Sequence, residues 1–333
     1  MKRYSEVSKL QCLLLLLVCF SLESCFKEDK EKPLFVFGEF PDTVLNLEDL
    51  NSQYDDYNVN VLGGDAPVIF STNRESAGGQ FDLEQGGISF SYDQAKKTFD
   101  FQASITNDQM LDRLISNIKT QGDDFGPYRF FSSADGYEYM VVASVNNNGN
   151  LDLRYQRNMP RYGTSLPAVE GPFQVNIINT TSNDGYLCFD TNQDSAYFCS
   201  DRAGDFNIFL ITRPSNKKVN DWFDQGSATA VMPDNLNSNS NDKCPNILRN
   251  IMVFTSDRPG GLGGYDLYYS VLKNGAWSTP VNFGPSVNSE NDEYRPFLGY
   301  HPQFSNMMLI FSSNRPGGKG GFDLYFTGFN VGK

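Results

Sequence analysis

A chain of 333 residues with 39% hydrophobic content is long enough to bury a sizeable core, and 27 phenylalanines, 17 tyrosines and 29 glycines bias it toward aromatic strands and tight turns. With 40 acidic against 27 basic residues, it lacks the positive surface that a nucleic-acid partner requires. Its single histidine, His301, excludes a multi-histidine metal site and argues against a histidine-dependent triad, so no metal or other cofactor is expected.

The N-terminus comes first. Lys2, Arg3 and Lys9 precede an unbroken apolar run from Leu13 to Phe20, and small or polar residues follow up to Cys25. The run is shorter than the roughly 20 residues of a membrane-spanning helix, so residues 1–24 read as an export signal. Leu22-Glu23-Ser24-Cys25 resembles the lipobox of bacterial lipoproteins, although Glu23 departs from the usual small or apolar residue. Phe26-Lys27-Glu28-Asp29 resembles the Lys-plus-acidic export tag of Bacteroidota surface lipoproteins. These resemblances imply a lipid on Cys25, an export signal at Lys27, Glu28 and Asp29, a tether over 25–33, and an outer-membrane, surface-exposed location. The acyl chains would supply the membrane affinity.

Residues 34–333 read as one domain. Leu34-Phe35-Val36-Phe37 is its first candidate strand. Beyond it the sequence repeats itself. Met252-Val253-Phe254-Thr255-Ser256-Asp257-Arg258-Pro259-Gly260-Gly261 leads to Gly264-Tyr265-Asp266-Leu267-Tyr268. Leu309-Ile310-Phe311-Ser312-Ser313-Asn314-Arg315-Pro316-Gly317-Gly318 leads to Gly321-Phe322-Asp323-Leu324-Tyr325. Weaker copies begin at Ile69-Phe70, Val141-Val142 and Tyr197-Phe198, so the anchors fall at 70, 142, 198, 254 and 311. Acidic or amide residues precede each copy, among them Asp56, Asp124, Asp184, Asp242 and Asp292.

One copy can be read physically. An apolar, β-branched or aromatic run suits a strand buried on both faces. Asp/Asn-Arg-Pro-Gly-Gly breaks it, because proline fixes φ and glycine tolerates tight turns. Tyr/Phe-Asp-Leu-Tyr then starts a returning strand. A 56- or 57-residue unit has room for a four-stranded sheet, and such sheets bury both faces by packing radially. The expected fold is all-β: a five-bladed β-propeller with one short helical insertion. A sixth blade would need a copy without the signature. The extra length between the first two copies fits a helix over 106–120, with Leu111, Leu114, Ile115 and Ile118 on one face and Thr106…Gln109 as a capping box. Cys188 and Cys199 flank a turn expected at Thr191–Ser195 and could form a cross-strand disulfide in an oxidising compartment. The chain ends soon after the last copy, so Leu34–Phe37 is expected to complete the final blade.

The motif residues Asp257, Arg258, Asp266, Asn314, Arg315 and Asp323 resemble the WD40-like PD40 repeat of TolB-type propellers over roughly residues 45–330. Because such acids recur in every copy, they are expected to cap turns and link blades rather than to catalyse. The resemblance implies a non-enzymatic, lipid-anchored propeller serving an outer-membrane complex with an integral β-barrel partner, such as a SusCD-like transporter or a secretion or assembly machine. The second expectation is a propeller glycoside hydrolase, or a glycan-binding protein, acting on surface polysaccharide. Carboxylates not shared between blades would favour the enzyme.

Overall fold

The computed structural model describes residues 37–62, 66–159, 165–226 and 228–332. Cys25 and the segment Lys27, Glu28 and Asp29 lie outside the described residues. Gly38–Lys333 forms one unit, a five-bladed β-propeller. A short strand β1 (Leu45–Asn46) precedes the blades. The first blade is β2 (Asp56–Val61), β3 (Ala66–Thr72), β4 (Asp82–Asp93) and β5 (Thr98–Ile105), followed by helix α1 (Gln109–Ile118). The second is β6 (Asp124–Phe131), β7 (Glu138–Val145), β8 (Leu151–Asn158) and β9 (Val169–Gln174). The third has three strands, β10 (Asp184–Phe189), β11 (Ser195–Ala203) and β12 (Asp205–Thr212), followed by a second helix α2 (Val219–Phe223). The fourth is β13 (Asp242–Leu248), β14 (Ile251–Ser256) and β15 (Asp266–Lys273), with β16 (Ala276–Trp277) and β17 (Val281–Asn282) both on the β15 edge. The fifth is β18 (Glu293–Gly299), β19 (Met307–Ser313) and β20 (Asp323–Phe329), completed by β1.

Every copy of the repeated motif spans the second and third strands of its blade. The second strands are buried at their centres, and β14 reads Ile-Met-Val-Phe-Thr-Ser with no exposed position. The outer strand β5 instead alternates exposed and half-buried residues, as an edge facing water on one side should. Facing blades share apolar layers. Val253 and Leu267 meet Leu309 and Phe311; Val141 and Tyr155 meet Phe198 and Phe209; Val68 and Phe70 meet Ile310 and Phe326. Each fully buried Leu, Ile, Val or Phe of these layers contributes about 1.5–3 kcal/mol.

Ring closure corrects one expectation. Leu45 and Asn46 pair with Phe326 and Tyr325, so 45–46 takes the edge of the last blade that the sequence reading gave to Leu34–Phe37. Residues 34–36 lie outside the described residues, and Phe37 is in no strand. Phe40 reinforces the closure by stacking on Phe304 at 3.8 Å, and its N–H donates to Asn306 Oδ1 at 2.8 Å.

α1 is where the sequence placed it, but its cap is Asp108, whose carboxylate accepts from the N–H groups of Met110 and Leu111, rather than Thr106. Its buried face fills the wedge between Ile69 and Leu83 of the first blade and Met140 and Val142 of the second. In the third blade a fourth strand is reduced to the Leu210–Val231 bridge. α2 there buries Trp222 and Phe223 between the second and third blades.

The disulfide expectation is also corrected. Cys188 and Cys199 are free and buried. A bulge between Gly185 and Cys188 shifts the register, so Cys188 faces Tyr197 and Cys199 faces Gly185.

Candidate functional site at the channel mouth

Each innermost strand begins with a carboxylate that is fully buried: Asp56, Asp124, Asp184, Asp242 and Glu293. The fifth of these differs from the sequence expectation. Asp292 lies one residue before the strand, and Glu293 takes the register position, opposite Ser313. Burying a carboxylate is costly unless it is paired and hydrogen-bonded, and in four blades the motif arginine provides the pair. Arg258 Nη2 lies 2.5 Å from Asp242 Oδ1 and also donates to the Leu236 carbonyl, while its Nε donates to Ser256 Oγ. Arg74–Asp56, Arg202–Asp184 and Arg315–Glu293 repeat this clamp at 2.5, 2.5 and 2.8 Å.

The preceding residue links neighbouring blades. Asn241 Oδ1 accepts from Phe206 N–H of the third blade, and Asn241 Nδ2 donates to Asp257 Oδ2 of its own. Asn183 and Asp201 do the same. In the first and fifth blades the types are exchanged: Asp55 accepts from Asn73 Nδ2, and Asp292 from Asn314 Nδ2. One acid and one amide are therefore kept at this pair in four blades. Asp266 and Asp323 hold the glycine-rich turns, accepting from the N–H groups of Leu262 and Gly263, and of Lys319 and Gly320. The glycines serve close approach to the next blade. A side chain at Gly263 or Gly320 would collide with the backbone of Asn291 or Tyr54. Asp257, Arg258, Asp266, Asn314, Arg315 and Asp323 are thus all engaged in blade structure.

At the same end of the channel, half-buried rings form a collar. Tyr57 contacts Phe81 at 4.9 Å, Phe322 at 5.8 Å and Phe125 at 5.9 Å, and Tyr265 contacts Tyr294 at 5.5 Å. Lys243 lies over Phe206 at 4.2 Å. Phe81, Tyr265 and Phe322 each stand directly before the Asp that opens a third strand, and Phe206 before Asn207, the third residue of β12. The aromatic was visible in the repeat, although its place on the collar was not.

The junction of the first and second blades breaks the pattern. Where the other copies carry Arg74, Arg202, Arg258 and Arg315, the second carries Asn146, so no arginine reaches Asp124. Its carboxylate accepts instead from Ser144 Oγ at 2.6 Å and from Thr120 N–H at 2.8 Å. Burial holds it above the usual carboxylate range, with these hydrogen bonds opposing. Asp123 accepts from Phe81 N–H but has Val145, not an Asx residue, as its counterpart. Asp82, in the same corner, is also raised by burial, against the pull of Lys119, whose ammonium is 3.9 Å away. These carboxylates hold positions repeated in other blades, but Asp124 lacks the arginine and Asp123 the Asx partner found there. No group of three or more His, Cys, Asp or Glu side chains among the described residues is placed to hold a metal ion.

No family model and no curated protein matches the chain. Solved structures do. An endo-arabinase from Bacteroides thetaiotaomicron is similar at 12% identity and TM-score 0.50, covering 89% of this chain and 98% of its own. An endo-1,4-beta-xylanase from the same organism is 11% identical at TM-score 0.50, covering 87% and 94%. A GH43_1 enzyme from Xanthomonas citri, solved with xylotriose, is 8% identical at TM-score 0.50, covering 86% and 91%. At such identities the likeness is one of fold. These three neighbours are saccharide-cleaving enzymes; they do not back the expected non-enzymatic scaffold and agree better with the second expectation, a propeller glycoside hydrolase.

Proposed function

We propose that the protein is a propeller glycoside hydrolase that takes a saccharide at the aromatic mouth of its channel. The observation that carries this reading is the corner of Asp82 and Asp123 beside the rings of Phe81 and Phe125, where the structural clamps of the other blades are missing. Half-buried rings can stack on the apolar faces of sugar rings. Glycoside cleavage needs one carboxyl held protonated as general acid and one ionised as base or nucleophile. Asp82, raised by burial, suits the first role, and Asp123, its neighbour, which accepts from Phe81 N–H, is the carboxylate placed beside it for the second.

A second reading, glycan binding without cleavage, is favoured by the burial of Asp124 and by the four arginine clamps, which leave the other innermost acids committed to structure. With a lipid on Cys25 and the Lys27-Glu28-Asp29 segment directing export, the substrate would be a polysaccharide met at the outer membrane.

The test is reducing-sugar release from arabinan, xylan and surface polysaccharide, with Asp82→Asn and Asp123→Asn beside the wild type. Hydrolysis should fall on the order of 10²-fold or more in each variant. Retention on a glycan affinity gel without release would support the binding reading. Neither release nor retention would defeat both.

A further inference from the structure

The third residues of the innermost strands, Asn58, Gly126, Tyr186, Cys244 and Arg295, form a ring around the channel. All five have φ between 50° and 62°, and each sits in the bulge of its strand. That backbone is disfavoured for residues with side chains, yet four of the five carry one. The bulge directs these positions toward one another. Arg295 of the fifth blade lies 5.2 Å over the Tyr186 ring of the third, and its Nη2 donates to the Pro127 carbonyl of the second at 3.4 Å. Gly126 makes room for it: a side chain there would collide with the Tyr186 ring and lie 3.6 Å from Arg295 Nη1.

Arg295 is 2% exposed, its Nη1 has no hydrogen-bond partner, and no carboxylate among the described residues pairs with it. The clamp arginines of this protein each have an acid within 2.8 Å. A guanidinium cannot shed its proton, so an unpaired one in the interior is strongly unfavourable. Burial pushes the Cys244 thiol up to about 11 and the Cys188 thiol up to about 12, so both stay neutral. On the adjacent blade Asn58 is fully buried, and neither its side-chain oxygen nor its nitrogen has a partner.

We propose that the channel centre is a binding site for a small inorganic anion of the halide class, with Arg295 Nη1 and the Asn58 amide as donors. A cation is excluded by the guanidinium, and enclosure by Tyr186, Cys244 and the bulged backbone favours a monatomic ligand. This inference does not rest on the hydrolase reading.

The test is thermal unfolding of the wild type and Arg295→Met in sodium chloride, bromide or gluconate at one ionic strength. Wild-type Tm should rise saturably with halide over gluconate, by about 5 °C at a hundredfold excess over Kd, and Arg295→Met should lose the response. Crystals of the wild type grown in bromide should show anomalous density beside Arg295, which decides the matter even if the variant fails to fold. Equal Tm in the three salts, or bromide confined to the outer surface, would each overturn the assignment.

Discussion

The acid–amide pair beside each clamp shows what the repeat conserves at the scale of single residues. Asn241 with Asp257 and Asp55 with Asn73 make the same bonds with the types exchanged: one N–H to the partner's oxygen, one amide to the partner's carboxylate, and one oxygen left for the neighbouring blade. Asn241→Asp alone would set two carboxylates against each other and remove the donor. Adding Asp257→Asn recreates the first-blade arrangement. The single change should destabilise by about 1–3 kcal/mol and the double should recover most of it, a coupling of the size found for directly bonded residues. Urea unfolding of the four members of the cycle checks this, and additive effects would refute the reciprocal pairing.

Asp124 gives a second prediction at this scale. Its pKa is raised in the folded protein above the unfolded value, so the folded state binds the proton more tightly. Its contribution to stability is full below the unfolded pKa of about 3.9 and is lost as pH rises through the raised folded value. The stability difference between wild type and Asp124→Asn should therefore shift against the wild type from pH 4 to 7. A difference that stays constant over that range would show that Asp124 does not titrate as burial requires.

At the scale of elements, the sequence was legible where one physical requirement dominates a run of residues. The second strands were plain because a strand sandwiched between blades needs an apolar, β-branched or aromatic run at its centre, and α1 because Leu111, Leu114, Ile115 and Ile118 share a face. Its cap was misplaced because Thr106 and Asp108 both offer an oxygen before the helix. Only the backbone decides that Asp108, with φ −89° and ψ 119°, is the residue half in and half out. Bulges were invisible: the one in β10 separates Cys188 from Cys199 although their spacing fits a hairpin pair. Glu293 was missed in favour of Asp292 because the signature was read by residue type, whereas the register counts from the strand. The channel ring carries five different residue types, so no motif could announce it. For α1 the two contributions can be separated. Leu114→Ala should cost about 2–5 kcal/mol, since Leu114 is fully buried in the wedge between two blades. Asp108→Ala should cost about 1 kcal/mol. The reverse order in chemical denaturation would mean that the helix is held by its cap and not by its packing.

At the scale of the whole molecule, four blade junctions join segments adjacent in sequence, whereas the junction of the first and fifth blades joins the two ends of the fold. Its β1 supplies only two paired residues, too little for a strand held by backbone bonds alone. The sequence hid it for that reason, while the more apolar Leu34–Phe37 looked better suited. What secures the closure is side-chain chemistry around it. Phe40 is 2% exposed, stacked on Phe304 and edge-on to Phe90 and Phe326. Asn51 exchanges two hydrogen bonds with Leu324, and Asp55 accepts from Phe322 N–H. Apart from Phe40–Phe90, these contacts bridge more than 260 positions of sequence, so they form late and at high entropic cost, and a weakened closure should open before the blades melt. Phe40→Ala should lower stability by about 3–5 kcal/mol, with an uneven signature in native-state hydrogen exchange. The β20 amides of Leu324–Phe329 should lose protection first, and the β11 amides of Tyr197–Ser200, on the far side of the ring, should open only with global unfolding. Equal loss of protection in both strands would mean that the ring opens as one cooperative unit and that Phe40 is no separate latch.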